Sequence, residues 1–263
     1  MIKLNGQIVE QNHFPDGTLL MKWNVYKYDG STITWQYESD AELFALYSLK
    51  RHLDSVRPGG NDFLYLPYIP HARQDRVKNQ EDIFTLKYFA EIINSLKFKE
   101  VFAIDPHSSV SEALINNIRV VSPIAFIEQT LDIINTDNLL MFYPDEGAMK
   151  RYSGMVEKPY AFGIKKRDWA TGKIEGLDVA GSIDKIKDSR ILIVDDICSK
   201  GGTFYHSAKK LKELGAKEIY LYVTHCENTI LEGELLTSGL IERVYTTNSI
   251  FTKEHEKIEV FEL

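Results

Sequence analysis

Arg190-Ile191-Leu192-Ile193-Val194-Asp195-Asp196-Ile197-Cys198-Ser199-Lys200-Gly201-Gly202-Thr203-Phe204 carries three signals in a row: an apolar run, an acid pair and a glycine turn. Ile191 to Val194 reads as a short strand buried on both faces of a parallel sheet. His206 to Leu214 reads as a helix closed by Gly215. Strand, turn and helix start together form an anion site. Small residues let backbone N–H groups approach a phosphate, and the helix dipole adds partial positive charge. Asp195 and Asp196 would repel a phosphate, but they can hold sugar hydroxyls or a magnesium ion bridging to one. The stretch therefore suits a phosphorylated sugar, with phosphate on the turn and ribose over the acids. Paired aspartates also cap helices, so a plain structural turn is the competing reading.

The rest of the composition narrows the class. A chain of 263 residues has room for one large or two modest domains. Hydrophobic residues at 44% and charged residues at 26% are ordinary for a soluble globular protein. A net charge of −7 argues against a nucleic-acid partner, because phosphate backbones need a basic surface. The two cysteines, Cys198 and Cys226, fit no zinc spacing and point to a reduced, cytoplasmic compartment. No apolar run has the length of a membrane span, and Met1 to Gln11 has no signal-peptide core.

Outward from the central stretch, short strands and helices alternate from about residue 60 to 250. This predicts an α/β fold, parallel sheets with helices on both faces. Residues 1 to 37 read as β-rich (Ile2 to Leu4, Leu19 to Tyr28, Ser31 to Tyr37), with a turn at Phe14-Pro15-Asp16-Gly17. Asp40 to Leu53 reads as a helix with Leu43, Leu46, Tyr47 and Leu53 on its apolar face. Phe63 to Tyr68 reads as a strand that runs into Ile69-Pro70-His71-Ala72-Arg73-Gln74-Asp75-Arg76. Open α/β sheets place ligands just past strand ends, and the guanidinium fork suits phosphate oxygens. A solvated loop with an internal Arg–Asp pair is the alternative.

Asp82 is placed as the N-cap of a helix from Thr85 to Leu96. The strand Glu100 to Ile104 ends in Asp105-Pro106-His107, where His107 is either a metal or phosphate ligand or a structural histidine. Leu139 to Tyr143 ends in Pro144-Asp145-Glu146-Gly147, ahead of a helix with Lys150 and Arg151. Tyr160 to Ile164 ends in Lys165-Lys166-Arg167-Asp168, and Asp168 to Gly176 reads as a mobile loop or a hairpin. A strand at Glu218 to Thr224, a helix near Thr229 to Thr237 and a strand at Arg243 to Thr246 complete the pattern, leading into Thr247-Asn248-Ser249-Ile250.

In this order the fragments resemble the ribose-phosphate diphosphokinase family. They are Phe-Pro-Asp-Gly, Ala-Arg-Gln-Asp-Arg, Asp-x-His, Pro-Asp-x-Gly, Lys-x-Arg, Asp-Asp…Gly-Thr and Thr-Asn-Ser-Ile, and they cover nearly the whole chain. Ala72 to Arg76 is the most specific, because plain phosphoribosyltransferases lack it. The resemblance implies two similar type I phosphoribosyltransferase-like domains, residues 1–135 and 136–263, with the active site between them. It implies Mg²⁺-dependent transfer of the β,γ-diphosphoryl group of ATP to the anomeric hydroxyl of ribose 5-phosphate, with release of AMP. By the same resemblance Arg73, Gln74, Arg76 and His107 would bind ATP. Phe14 and Asp16 would reach the adenine of a neighbouring subunit, which implies a homo-oligomer, a dimer or a hexamer. His107 and Asp145 would sit at the magnesium, Lys165 and Arg167 would close over the reacting phosphates, and Asp195 and Asp196 would hold the ribose. Ser199, Lys200, Gly201, Gly202 and Thr203 would hold the 5-phosphate.

The chain departs from that family's pattern at several points. The helix that normally precedes Phe-Pro-Asp-Gly is missing, and Leu263 stands where a further helix would follow, which bears on the hexamer and its allosteric site. Thr18 replaces the usual Glu, and Ala148 a second Gly. In a register shifted by one, Lys166 becomes the catalytic lysine and Asp168 takes the arginine's place. In the sugar-phosphate loop Ser199 stands for a carboxylate or a threonine, and Lys200 is gained. A more positive pocket would suit an acceptor with an additional phosphate, such as ADP-ribose in NAD resynthesis. A solvent-facing Lys200 would leave ribose 5-phosphate as the acceptor. A plain phosphoribosyltransferase and a non-catalytic regulatory partner are the rival classes.

Overall fold

The computed structural model describes residues 1–24, 30–167 and 174–263, with the backbone alone for 165–167 and 174–175. The chain forms two compact units, Met1–Ser122 and Pro123–Leu263. In the first unit the elements are β1 (Ile2–Leu4), β2 (Gln7–Ile8), β3 (Asn12–His13), β4 (Leu19–Leu20), β5 (Gly30–Trp35), α1 (Ala41–Val56), β6 (Asn61–Tyr65), α2 (Thr85–Ser95), β7 (Glu100–Ile104), α3 (Ser109–Leu114) and β8 (Ile118–Val121). Its main sheet has the order β2-β1-β5-β6-β7-β8, parallel from β5 onward and antiparallel at β1 and β2. β3 and β4 pair separately as the hairpin around Phe14 to Gly17.

The second unit holds α4 (Ile124–Ile134), β9 (Leu139–Tyr143), α5 (Glu146–Tyr152), β10 (Tyr160–Arg167), β11 (Ile174–Gly181), β12 (Arg190–Cys198), α6 (Gly202–Glu213), β13 (Glu218–Cys226), β14 (Arg243–Thr247) and β15 (Ile258–Phe261). Its sheet order is β11-β10-β9-β12-β13-β14-β15, all parallel except the β10–β11 pair. The expected α/β class, parallel sheets covered by helices, is the observed one. The strand pattern explains why. Successive side chains alternate between faces, and here both faces are apolar. Leu140, Phe142, Ile191, Ile193, Leu221 and Val223 fill one core, while Met141, Tyr143, Leu192, Val194 and Tyr222 fill another. Among the described residues no helix is long and apolar enough to cross a membrane.

Several local expectations are corrected. Helix α4, placed in the first domain by a boundary at 135, belongs to the second unit. Its Ile127 and Ile134 join the core with Tyr143 and Tyr222, and Phe126 stacks on Phe261 at 6.0 Å. The buried side of α1 is Glu42, Ala45, Leu46, Leu49, Lys50 and Leu53, while Tyr47 lies outward. Two charged residues thus sit on the inner side, each held by an ion pair, which apolar periodicity does not register. Asp82 does not cap α2. It accepts from the backbone N–H groups of Lys78 and Asn79, both at 2.8 Å, and so closes its own loop. Helix α6 starts at Gly202 rather than His206, because the glycine turn is itself the helix start. The helix placed near Thr229 to Thr237 is a short 3-10 turn, Asn228–Glu232. The part of the expected Leu19 to Tyr28 strand at 25–28 lies outside the described residues, as does the 168–173 part of the expected loop or hairpin at Asp168 to Gly176.

Candidate active site

In the first unit, neighbouring parallel strands β6 and β7 deliver their loops to one sheet edge. The loop after β6 exposes Arg73, Gln74 and Arg76 and buries Asp75. Gln74 accepts from the Thr85 hydroxyl at 2.8 Å, which ties the loop to the start of α2. Arg76 donates Nε and Nη2 to the two Asp75 oxygens at 2.7 and 2.8 Å. The internal Arg–Asp pair is therefore present, and one edge of Arg76 remains outside it. The loop after β7 brings half-buried His107 beside Ser108, whose hydroxyl donates to Asp75 at 2.6 Å.

The Arg76 and Ser108 hydrogen bonds outweigh burial and hold the Asp75 carboxyl down at about 2. An acid lowered on folding stabilises the fold above its ordinary pKa and loses that contribution as pH falls toward the folded value. The acid limb of thermal unfolding between pH 4 and pH 2 should therefore flatten in Asp75→Asn, read as melting temperature against pH. An unchanged limb would mean that the pair is not formed in solution.

At the β3–β4 hairpin, Phe14 is about half exposed. Thr18, where the resembling family has Glu, donates its N–H and its hydroxyl to Asp16 Oδ1 at 2.9 and 2.7 Å. The substitution thus occupies one of the two Asp16 oxygens. A cavity of about 580 Å³ lies beside it, lined by His13, Gly17, Thr18, Glu38, Glu42 and Phe44 among others.

In the second unit, β9 and β12 are neighbours: Asp145 follows the end of β9, while Asp195 and Asp196 lie within β12, beyond its last pair with β9 and still alongside β13. Asp145 caps α5, accepting from the Ala148 N–H at 3.1 Å, a contact that Ala148 in place of glycine leaves intact. Burial, then the Asp196 and Asp145 charges, push the Asp195 carboxyl well above the ordinary carboxylate range. Arg151, from the last turn of α5, reaches Asp196 with Nη1 at 3.7 Å. Sequence reading noted Arg151 on a helix but not this contact, which depends on how α5 packs on β12.

The turn after β12 has the form an anion site needs. Gly201 adopts the left-handed conformation (φ +80°) and serves as N-cap of α6 without offering a side chain. The first N–H groups of the helix are thereby left to an incoming anion. A second loop supports this turn from behind. Glu227 N–H donates to Cys198 O at 2.8 Å, and Gly233 lies flat on the Lys200 carbonyl. Lys200 itself pairs with Glu232 at 3.0 Å, both side chains being well exposed. Glu232 and Gly233 had no sequence signal, because only the fold brings them to the loop.

Lys165, Lys166 and Arg167 were read as following a strand that ends at Ile164. They are instead on β10, beyond its last pair with β9, where the antiparallel partner β11 continues the ladder with a register shift between Lys166 and Arg167. Asp168, which the shifted register invokes, lies outside the described residues. The hydroxyls of the Thr247 to Ser249 fragment are buried and structural: Thr247 donates to Thr224 O at 2.7 Å, and Ser249 Oγ lies 2.8 Å from His225 Nδ1.

Among the described residues no group of three His, Cys, Asp or Glu side chains is assembled for a metal. The donor chemistry nevertheless fits magnesium, a hard cation that takes carboxylate oxygens and keeps several waters. The acid crowding that raises Asp195 is negative charge such a cation would neutralise.

A parallel sheet whose acid-bearing central strand leads through a glycine turn into a helix defines the phosphoribosyltransferase class of fold. Residues 154–236 match the family model "Phosphoribosyl transferase domain". The ribose-phosphate pyrophosphokinase of Mycoplasma pneumoniae is 25% identical in an alignment covering 100% of this chain and 82% of that protein. The Bacillus subtilis enzyme of the same name is 28% identical over 75% of this chain, which spans 62% of its length. The solved phosphoribosylpyrophosphate synthetase of Mycobacterium smegmatis shares the fold, with a TM-score of 0.79 over 97% of this chain and 86% of that one at 16% identity. Over most of its length the chain is thus similar to enzymes named ribose-phosphate pyrophosphokinase, which are transferases.

Proposed function

We propose that the protein transfers the β,γ-diphosphoryl group of ATP to the anomeric hydroxyl of ribose 5-phosphate, giving phosphoribosyl diphosphate and AMP. The observation that carries this reading is the turn Ser199 to Thr203, a glycine-capped helix start directly behind an acid pair. The helix N–H groups and the Thr203 hydroxyl bind the 5-phosphate, and Asp195 and Asp196 orient the ribose hydroxyls. Arg73, Gln74, Arg76 and His107 bind ATP. Phe14 and Asp16 complete the adenine site of a second copy of the chain. Lys165 and Arg167 are assigned to the charge that develops on the transferred phosphates, with Lys166 the alternative lysine. Phosphoryl transfer needs alignment and charge neutralisation more than covalent chemistry. Asp145 and His107 are the residues assigned to magnesium, which would neutralise the phosphate oxygens when bound.

Ribose 5-phosphate is preferred to ADP-ribose because the gained Lys200 comes with its own carboxylate, Glu232. The added positive charge is locally offset, and an exposed pair of this kind is worth roughly 1 kcal/mol or less. The deciding experiment is AMP release, by mass spectrometry, from ATP and magnesium with each acceptor alone. AMP with ribose 5-phosphate, and a KM for it in Lys200→Ala within about threefold of the wild type, is the expected result. AMP with ADP-ribose alone, lost selectively in Lys200→Ala, would replace that acceptor. AMP with neither would leave the fold in a regulatory, non-catalytic role.

A further inference from the structure

We propose that Asp75 is a positioning residue: it fixes the exposed Arg76 guanidinium and couples the arginine loop to the histidine loop. The inference rests on the ATP-binding reading of Arg76. Asp75 is 7% exposed, yet it lies between two residues placed at the nucleotide. Its Oδ1 takes Arg76 Nε at 2.7 Å, and its Oδ2 takes Arg76 Nη2 at 2.8 Å and Ser108 Oγ at 2.6 Å. Ser108 also accepts from Val110 N–H at 3.2 Å and so caps α3. One buried carboxylate thus joins the loop after β6 to the first turn after β7, next to His107.

The Arg76 side chain is 63% exposed although a two-point fork holds it. Ordering an exposed arginine loses side-chain entropy, on the order of 2 kcal/mol. At a solvated position that ordering serves nothing, but at a ligand it is paid before binding. The fork also selects an edge. Nε and Nη2 face Asp75, so Nη1 is the nitrogen turned to an incoming phosphate oxygen. Arg76 then makes a directed contact where a lysine would supply only a point charge. Asp75 touches no substrate and acts through Arg76 and through Ser108.

The test is a double-mutant cycle on KM for ATP and on kcat, using the full chain. Asp75→Asn should raise KM for ATP roughly tenfold, the loss of one charged hydrogen-bond pair, with the change in KM rather than kcat. In an Arg76→Ala background the same change should add nothing. Arg76→Lys, which keeps the charge and the fold but cannot form the fork, should reproduce the tenfold rise. Additive effects, or an Arg76→Lys KM equal to the wild type, would overturn the proposal. Hydrogen exchange decides the coupling independently of turnover. Asp75→Asn should speed exchange in peptides covering 70–77 and 106–112 together, and a rise confined to the first would refute it. If the wild type releases no AMP with any acceptor, the ATP reading fails, and the exchange result still decides whether the loops are joined.

Discussion

Gly233→Ala is expected to raise KM for ribose 5-phosphate on the order of a hundredfold, the loss that follows when a binding group is misplaced by about an ångström. An alanine Cβ at this position would lie 1.9 Å from the Lys200 carbonyl oxygen and 2.9 Å from its carbon. No side-chain rotation relieves that overlap, because the opposing atoms are backbone. The residue's own conformation (φ −91°) suits alanine, so the damage comes entirely from the loop being pushed. The loop displaced is Ser199 to Thr203, whose N–H groups are the ones proposed to bind the 5-phosphate. Overpacking of this kind costs about 1–3 kcal/mol of stability, so the variant should still fold.

Gly201→Ala is the useful contrast. It meets Leu235 Cδ2 at 2.8 Å, a side chain that can turn away, but it forces an alanine into the left-handed region at about 1–2 kcal/mol. Its effect on KM should be smaller. Steady-state kinetics alongside melting curves separates the two. A Gly233→Ala enzyme with wild-type KM would show that the turn does not hold the sugar phosphate.

The second large effect concerns stability rather than chemistry. Asp62 is 2% exposed at the N-terminal end of β6, away from the loops at the other end of the strand. It accepts from Ser31 N–H at 3.0 Å, pairs with Lys50 Nζ at 3.3 Å, and is bonded by Arg57 Nη2. Lys50 is itself buried, pairs with Asp54, and lies over the Phe98 ring at 5.6 Å. Asp62→Ala would leave Lys50 and Arg57 without their shared counter-charge in a dry setting. Breaking a buried ion pair from one side costs about 3–5 kcal/mol, a large part of the 5–15 kcal/mol that typically holds a domain. Removing the cation as well, in Asp62→Ala with Lys50→Met, should recover part of that loss. Denaturant unfolding of the single and double variants measures both. A loss near zero in Asp62→Ala would mean that water already reaches the cluster.

The strands Glu100–Ile104 and Leu139–Tyr143 could be placed to the residue, because unbroken apolar runs between turn residues have one reading in an α/β chain. The glycine turn behind Asp195 and Asp196 was legible as a strand-to-helix turn for a related reason: such a turn needs small residues at fixed spacing. Where the reading failed, a partner distant in sequence had decided the outcome. Lys165 to Arg167 belong to a strand because β11 supplies hydrogen bonds from beyond residue 173. Helix α4 belongs to the second unit because Tyr143 and Phe261 receive its apolar side. The inner side of α1 includes Glu42 and Lys50 because Trp35 Nε1 donates to one at 2.9 Å and Asp62 pairs with the other.

By itself, then, the sequence determined the class of fold, the order of the loops and the chemical types at the candidate site, since these depend on local periodicity and on residues close together in the chain. Tertiary structure alone decided how those residues are held. It set Asp75 between Arg76 and Ser108, gave Lys200 the Glu232 carboxylate, laid Gly233 against the Ser199 to Thr203 turn and brought Arg151 to Asp196. Each of these links, Asp75–Arg76 apart, joins groups on separate segments. Hydrogen bonds and ion pairs act over a few ångströms of space, whatever the separation along the chain.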